Sequence, residues 1–117
     1  MVEMKIIRSP ITRAGLKQMA REQFGDLVKA VIDIEQGIMA IGGELHADEE
    51  VLLMEEAQSK REHTWGVNLY PDKSGGEFIE FDSMINLKPS MGNRTRNVDN
   101  PAIREKIKVI IQKLVVD

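Results

Sequence analysis

The chain is expected to fold as a single α+β domain over residues 1–117, an antiparallel or mixed sheet of about four to five strands with N-terminal, middle and C-terminal helices packed on it. Three observations predict this. A length of 117 residues suits one hydrophobic core. The apolar pattern switches between strict alternation and helical spacing along the chain. The strand-like runs in the middle are joined by turns that suit hairpins, whereas helical patterns stand at both ends, so the sheet should be covered on one face.

Residues 4–8 read as a short opening strand. Ser9-Pro10 then offers an N-cap and a proline at the first helical position, which predicts a helix over 10–24 with Leu16, Met19, Ala20 and Phe24 inward and Gly25 ending it. Residues 27–34 alternate as a largely buried strand, and Glu35-Gln36-Gly37 can close a hairpin onto 38–41. Gly42-Gly43 lets the chain turn away. A second helix is expected from His46 or Ala47 to Glu56, capped by Asp48 or His46, although 51–54 also fits a strand. Residues 63–70 alternate with Trp65, Val67 and Leu69 inward; 71–76 form a turn by composition. Residues 78–81 and 84–87 supply two strand segments, or one bent at Asp82-Ser83. Asn100 caps the last helix, Pro101 opens it, and Ile103, Ile107, Ile110, Ile111 and Leu114 form its apolar stripe.

Composition narrows the chemistry. There is no cysteine, which removes disulfides, thiolate nucleophiles and cysteine-ligated metals. No secretory pattern opens the chain and no apolar run approaches the roughly 18 residues of a membrane span, so a cytoplasmic protein without membrane contact is expected. The net charge of −3 and five aromatic residues argue against nucleic acid as a partner, despite a basic last helix. Charge is nevertheless segregated: residues 33–56 hold eight acids and no Lys or Arg, whereas 88–113 hold seven bases and two acids. That is either two solvated faces or a polar molecule whose basic end meets an anion or the acidic end of a second copy.

Two regions could carry chemistry. In Glu44-Leu45-His46-Ala47-Asp48-Glu49-Glu50, His46 with Asp48 or Asp82 could supply an acid, a base or part of a metal site, but the spacing of His46 and Asp48 is wrong for one helical face. With His63 the only other histidine, no metal or cofactor is expected. The other region runs from Asp82 to Arg96, where Ser90, Gly92, Asn93 and Arg94 supply backbone amides, polar donors and a permanent cation suited to phosphate or carboxylate. Asn68, Tyr70, Asp82 and Asn86 would line the neighbouring sheet face if their strands pair. No Walker loop, dinucleotide fingerprint or Gly-x-Ser-x-Gly elbow occurs.

The segments Glu44-Leu45-His46-Ala47-Asp48-Glu49-Glu50, Trp65-Gly66-Val67-Asn68-Leu69-Tyr70-Pro71, Phe81-Asp82-Ser83-Met84-Ile85-Asn86-Leu87-Lys88-Pro89-Ser90 and Gly92-Asn93-Arg94 resemble domain-of-unknown-function family 5674. The likeness implies a prokaryotic intracellular setting and no reaction type. That family carries a Glu-Asp-Gly-Ser turn where this sequence reads Glu55-Glu56-Ala57-Gln58-Ser59, so a less sharp helix end is expected there.

The function expected is a small binding module for an anionic ligand gripped by Asn68, Tyr70, Asp82, Asn86, Ser90, Asn93 and Arg94. The alternatives are a hydrolase using His46 with nearby carboxylates, and a homo-oligomeric interaction domain using a strand edge.

Overall fold

The computed structural model describes residues 2–117. Its centre is the hairpin of β3 (Val28–Asp33) and β4 (Ile38–Ile41), paired antiparallel from Ala30 opposite Ile41 to Asp33 opposite Ile38. Asp33, almost fully buried, closes the turn. Its Oδ1 accepts from the amides of Glu35 and Gln36, and its Oδ2 from Gln36 Nε2 at 2.8 Å and the Ser59 hydroxyl at 2.6 Å. β5 (Thr64–Leu69) lies antiparallel on the other side of β3. The short strands β1 (Lys5–Ile7) and β6 (Ile79–Glu80) extend the sheet to the order β1-β4-β3-β5-β6, with every pair antiparallel.

The sheet is covered on both faces, not one. Val28, Ala30 and Ile32, with Met39, Ile41, Trp65, Val67 and Leu69, face α1 (Arg13–Gln23) and α3 (Pro101–Leu114), which bury Leu16, Ala20, Ile107, Ile111 and Leu114 against them. The opposite alternation of β3 and β4 is also apolar. Val31, Ile38 and Ala40 meet Leu53 and Ala57 of α2 (His46–Ala57) and Ile85. A strand that is hydrophobic on both alternations cannot leave one face to water.

Four local expectations are corrected. The first helix begins at Arg13, because Ile11–Thr12 form β2, paired parallel with β7 (Val115–Val116), and Thr12 Oγ1 rather than Ser9 caps the helix by accepting from the Gly15 amide at 3.0 Å. Residues 46–57 are helix rather than strand, but Leu45 occupies the N-cap position, so neither Asp48 nor His46 caps it. The end of α2 is sharp without glycine: Gln58 adopts φ 54°, and its backbone amide bonds back to Leu53. Residues 84–86 form a 3-10 turn, not a strand, with Ser83 Oγ accepting from the Ile85 amide.

The last helix runs as expected. Asn100 Oδ1 accepts from the amide of Ala102 at 2.8 Å, and Pro101 takes the first position. Gly42 has a steric role as well as a conformational one: at φ 91°, a side-chain Cβ there would lie 2.4 Å from the Glu3 carbonyl oxygen.

Candidate functional site

The polar segment after β6 is tied to the fold by asparagines. Asn86 is fully buried and takes the place of a missing strand beside β5: its Oδ1 accepts from Gly66 N at 2.8 Å, and its Nδ2 donates to Gly66 O at 3.0 Å and Arg96 O at 2.9 Å. Asn93 is buried too. Its Nδ2 donates to the carbonyls of Asn86, Thr95 and Asn97, and its Oδ1 accepts from Asp99 N. Both amides are therefore committed to backbone groups that would otherwise be orphaned. Asp82 pairs with Arg96 at 2.7 Å, whereas Ser90 and Arg94 are exposed. Of the seven expected ligand residues, the structure brings Asn68 and Tyr70 together, both donating to Glu80 Oε1 at 2.8 and 3.1 Å. It also joins Asn93 to Asn86, whose carbonyl accepts from Asn93 Nδ2 at 2.7 Å, while Asp82 is paired with Arg96 and Ser90 and Arg94 lie on the surface.

Lys88, adjoining this loop, is buried at 5% exposure. Its ammonium donates to Ile85 O at 2.8 Å and lies 4.6 Å from the centre of the Trp65 ring, and among the described residues it has no carboxylate within ion-pair distance. Burial, reinforced by the Arg61 charge, lowers its pKa to about 8.

His46 stands at the polar end of the layer between α2 and the sheet. The register sets Lys29, Asn68 and Glu80 side by side on adjacent strands beneath it. Its Nε2–H donates to Val67 O at 2.8 Å. Burial lowers its pKa, opposed by that carbonyl; the Lys29 charge lowers it further, while Asp82 and the Asn68 amide favour the protonated ring. Asp48 is exposed, and Asp82 acts on His46 through its field rather than by contact. Ser83 is close by, with its Oγ and His46 Cδ2 both flanking Gly66. The ring nevertheless presents carbon to that side and uses Nε2 on Val67, so no Ser–His nucleophile is assembled. One helical turn on, Glu49 is fully buried with Oε2 accepting from Gly43 N at 2.9 Å and Oε1 unpartnered. Burial raises its pKa well above the usual carboxylate value. Among the described residues, no three His, Asp or Glu side chains gather as metal ligands.

Cations meet an open concave space on the other face. A cleft of 870 Å³ lies between α3, the segment 75–81 and the end of the chain. Arg13 enters it from α1, and Arg104 and Lys108 enter from one side of α3. The Arg13 guanidinium is 4.3 Å from the Phe78 ring centre and donates to Pro71 O and Lys73 O; the Arg104 guanidinium is 5.1 Å from the Phe81 ring centre and donates to Asn97 Oδ1. These contacts fix both heads. Asp117 is the one acid on the cleft wall and lies 3.5 Å from Arg13. Among the described residues, neither Arg104 nor Lys108 lies within ion-pair distance of a carboxylate, and Arg104 Nε is a buried donor without a partner.

Arg104 and Lys108 belong to the basic tract visible in the sequence, but Arg13 lies 91 residues before Arg104. The one sequence signal that could have singled out the α3 pair is their spacing of four, which puts both on one side of a helix also bearing the buried stripe. Arg13 joins them through tertiary contacts: β2 pairs with β7 over two residues on each strand, and the guanidinium is held by the carbonyls of Pro71 and Lys73.

No helix among the described residues is long and apolar enough to cross a membrane. No curated protein and no solved structure matches the chain. The family model described as "Protein of unknown function (DUF5674)" matches residues 5–114, and the chain therefore belongs to that family.

Proposed function

We propose that the protein is a binding module for a small anionic ligand, seated in the cleft of Arg13, Arg104 and Lys108. One observation carries this reading: three cations, Arg13, Arg104 and Lys108, line a concave space whose wall bears one acidic side chain, that of Asp117, among the described residues. Cations facing such a space favour an anion through charge-assisted hydrogen bonds. The cleft volume is in the range of ligand pockets, about 300–1,000 Å³. Packing on Phe78 and Phe81 holds the two guanidinium groups in place before a ligand arrives, which limits the entropy lost on binding. A prokaryotic cytoplasmic setting belongs to the same reading, supported by the family likeness and permitted by the lack of cysteine.

Calorimetric titration with inorganic phosphate at constant ionic strength tests it. Binding should weaken about tenfold in Lys108→Gln, the loss of one charge-assisted contact of about 1.4 kcal/mol, and stay unchanged in Lys113→Gln, which lies outside the cleft. Absence of heat at millimolar phosphate, or a loss confined to Arg94→Gln, contradicts the assignment.

A further inference from the structure

The geometry points to an amphiphilic ligand for this cleft: an anionic head, phosphate monoester or carboxylate, carried on an aliphatic chain. This rests on the anion-binding reading and adds the class of molecule to it.

Size is the first argument. The 870 Å³ of space corresponds to roughly thirty water volumes, and the five heavy atoms of a phosphate displace only a few of them. A ligand that is all head leaves most of the cleft filled with water, beside surfaces that prefer not to be wet. Those surfaces are the second argument. Ile79 of β6 and Val115 and Val116 of β7 line the same space as the cations. Val116 is 43% exposed and Ile79 is half-buried, so their apolar area is available for a ligand to cover.

The aromatic rings decide between a flat and an aliphatic body. Phe78 is 8% exposed and has a guanidinium at 4.3 Å, and Phe81 carries its own at 5.1 Å. A nucleobase entering the cleft would have to displace one of the cations that are needed for its phosphate. Branched aliphatic side chains, by contrast, offer a surface without directional demands, which a methylene chain can cover in many registers. The cations lie along one side of α3, with Arg104 a turn before Lys108, while β7 follows the end of that helix. A head bound at Arg104 and Lys108 thus has apolar wall within reach in the same cleft.

A homologous series separates this inference from the reading beneath it. Ethyl, butyl and hexyl phosphate, and the carboxylates of equal chain length, are titrated below their aggregation concentrations by calorimetry, with inorganic phosphate as the head-only probe. A fully buried methylene tightens binding about fourfold, and a half-buried one about twofold, so hexyl phosphate should bind about 16-fold more tightly than ethyl phosphate. Val116→Ser should flatten that slope while leaving inorganic phosphate binding intact, and Lys108→Gln should weaken every member alike. The series with the tighter shared-length member identifies the head. Binding that is independent of chain length overturns the amphiphile and leaves the anion site standing. No binding by any phosphate or carboxylate overturns both, and a chain-length slope unchanged in Val116→Ser places the alkyl group elsewhere and overturns the inference.

Discussion

Replacing Asn86 by alanine tests why the segment after β6 holds its shape. The side chain is fully buried and satisfies both Gly66 N and Gly66 O in the interior strand β5, besides the carbonyl of Arg96. Arg96 is exposed, so water can replace its contact. The two Gly66 groups are buried, and leaving each without a partner costs about 1–3 kcal/mol. With a small contribution from the vacated volume, Asn86→Ala should destabilise the fold by about 3–5 kcal/mol. For a chain of this length the entropy of unfolding near the midpoint is about 0.25 kcal/mol/K, which converts the loss to a fall of about 12–20 °C in Tm. Urea unfolding followed by the emission of Trp65, the single tryptophan and 1% exposed, measures it directly. Asn86→Asp is the sharper control, since it keeps the shape and one acceptor but sets carboxylate oxygen against the carbonyls of Gly66 and Arg96. It should be at least as damaging at neutral pH and recover in part once acid protonates it. A loss below about 1 kcal/mol in Asn86→Ala refutes the claim that this amide stands in for a strand.

Gln58→Gly should stabilise the protein by about 1 kcal/mol, because Gln58 holds φ 54° where glycine carries no Cβ penalty; a thermal melt that does not rise contradicts the account. His46 has a lowered pKa in the folded state, so the unfolded chain binds the extra proton and stability should be lost as pH falls below 6.5 toward the folded value; His46→Gln should remove that loss in urea titrations across pH. Glu49 is raised instead, so its contribution is present at low pH and lost as pH climbs from 4.5 through its folded value, and Glu49→Gln should flatten that part of the stability curve. Lys88, at about 8 against 10.5 unfolded, costs stability below pH 8 and that cost fades up to pH 10.5; the effect of Lys88→Met should therefore be more favourable at pH 7 than at pH 10.5, by about 3 kcal/mol.

The fold was legible where periodicity and caps agree. Asn100-Pro101 and the isoleucine stripe define α3, and the alternation through β3, β4 and β5 defines the central strands with their hairpin at Gly37. Where the reading failed, a tertiary contact outweighed a local signal. Ser9-Pro10 is a sound helix start, yet Ile11 and Thr12 are drawn into a parallel pair with β7, and no local pattern announces a partner more than a hundred residues away. Residues 84–87 carry an apolar strand pattern, but Asn86 meets β5 through its side chain and the backbone turns instead. The same ambiguity shaped the reading of the candidate residues. Asparagine serves equally to bind a ligand or to satisfy a neighbouring backbone, and composition cannot tell the two apart; Asn86 and Asn93 do the second. The cations that do share a cleft come from opposite ends of the chain: Arg104 and Lys108 stood in the basic last helix, and nothing in the sequence marked Arg13.

Amide chemical-shift mapping with inorganic phosphate, at constant ionic strength and pH, bears most directly on the cleft. The account predicts saturable shifts that cluster on residues 13, 75–81 and 104–108 and fade in Lys108→Gln. Shifts that gather on residues 88–96 instead, or none up to millimolar phosphate, contradict it.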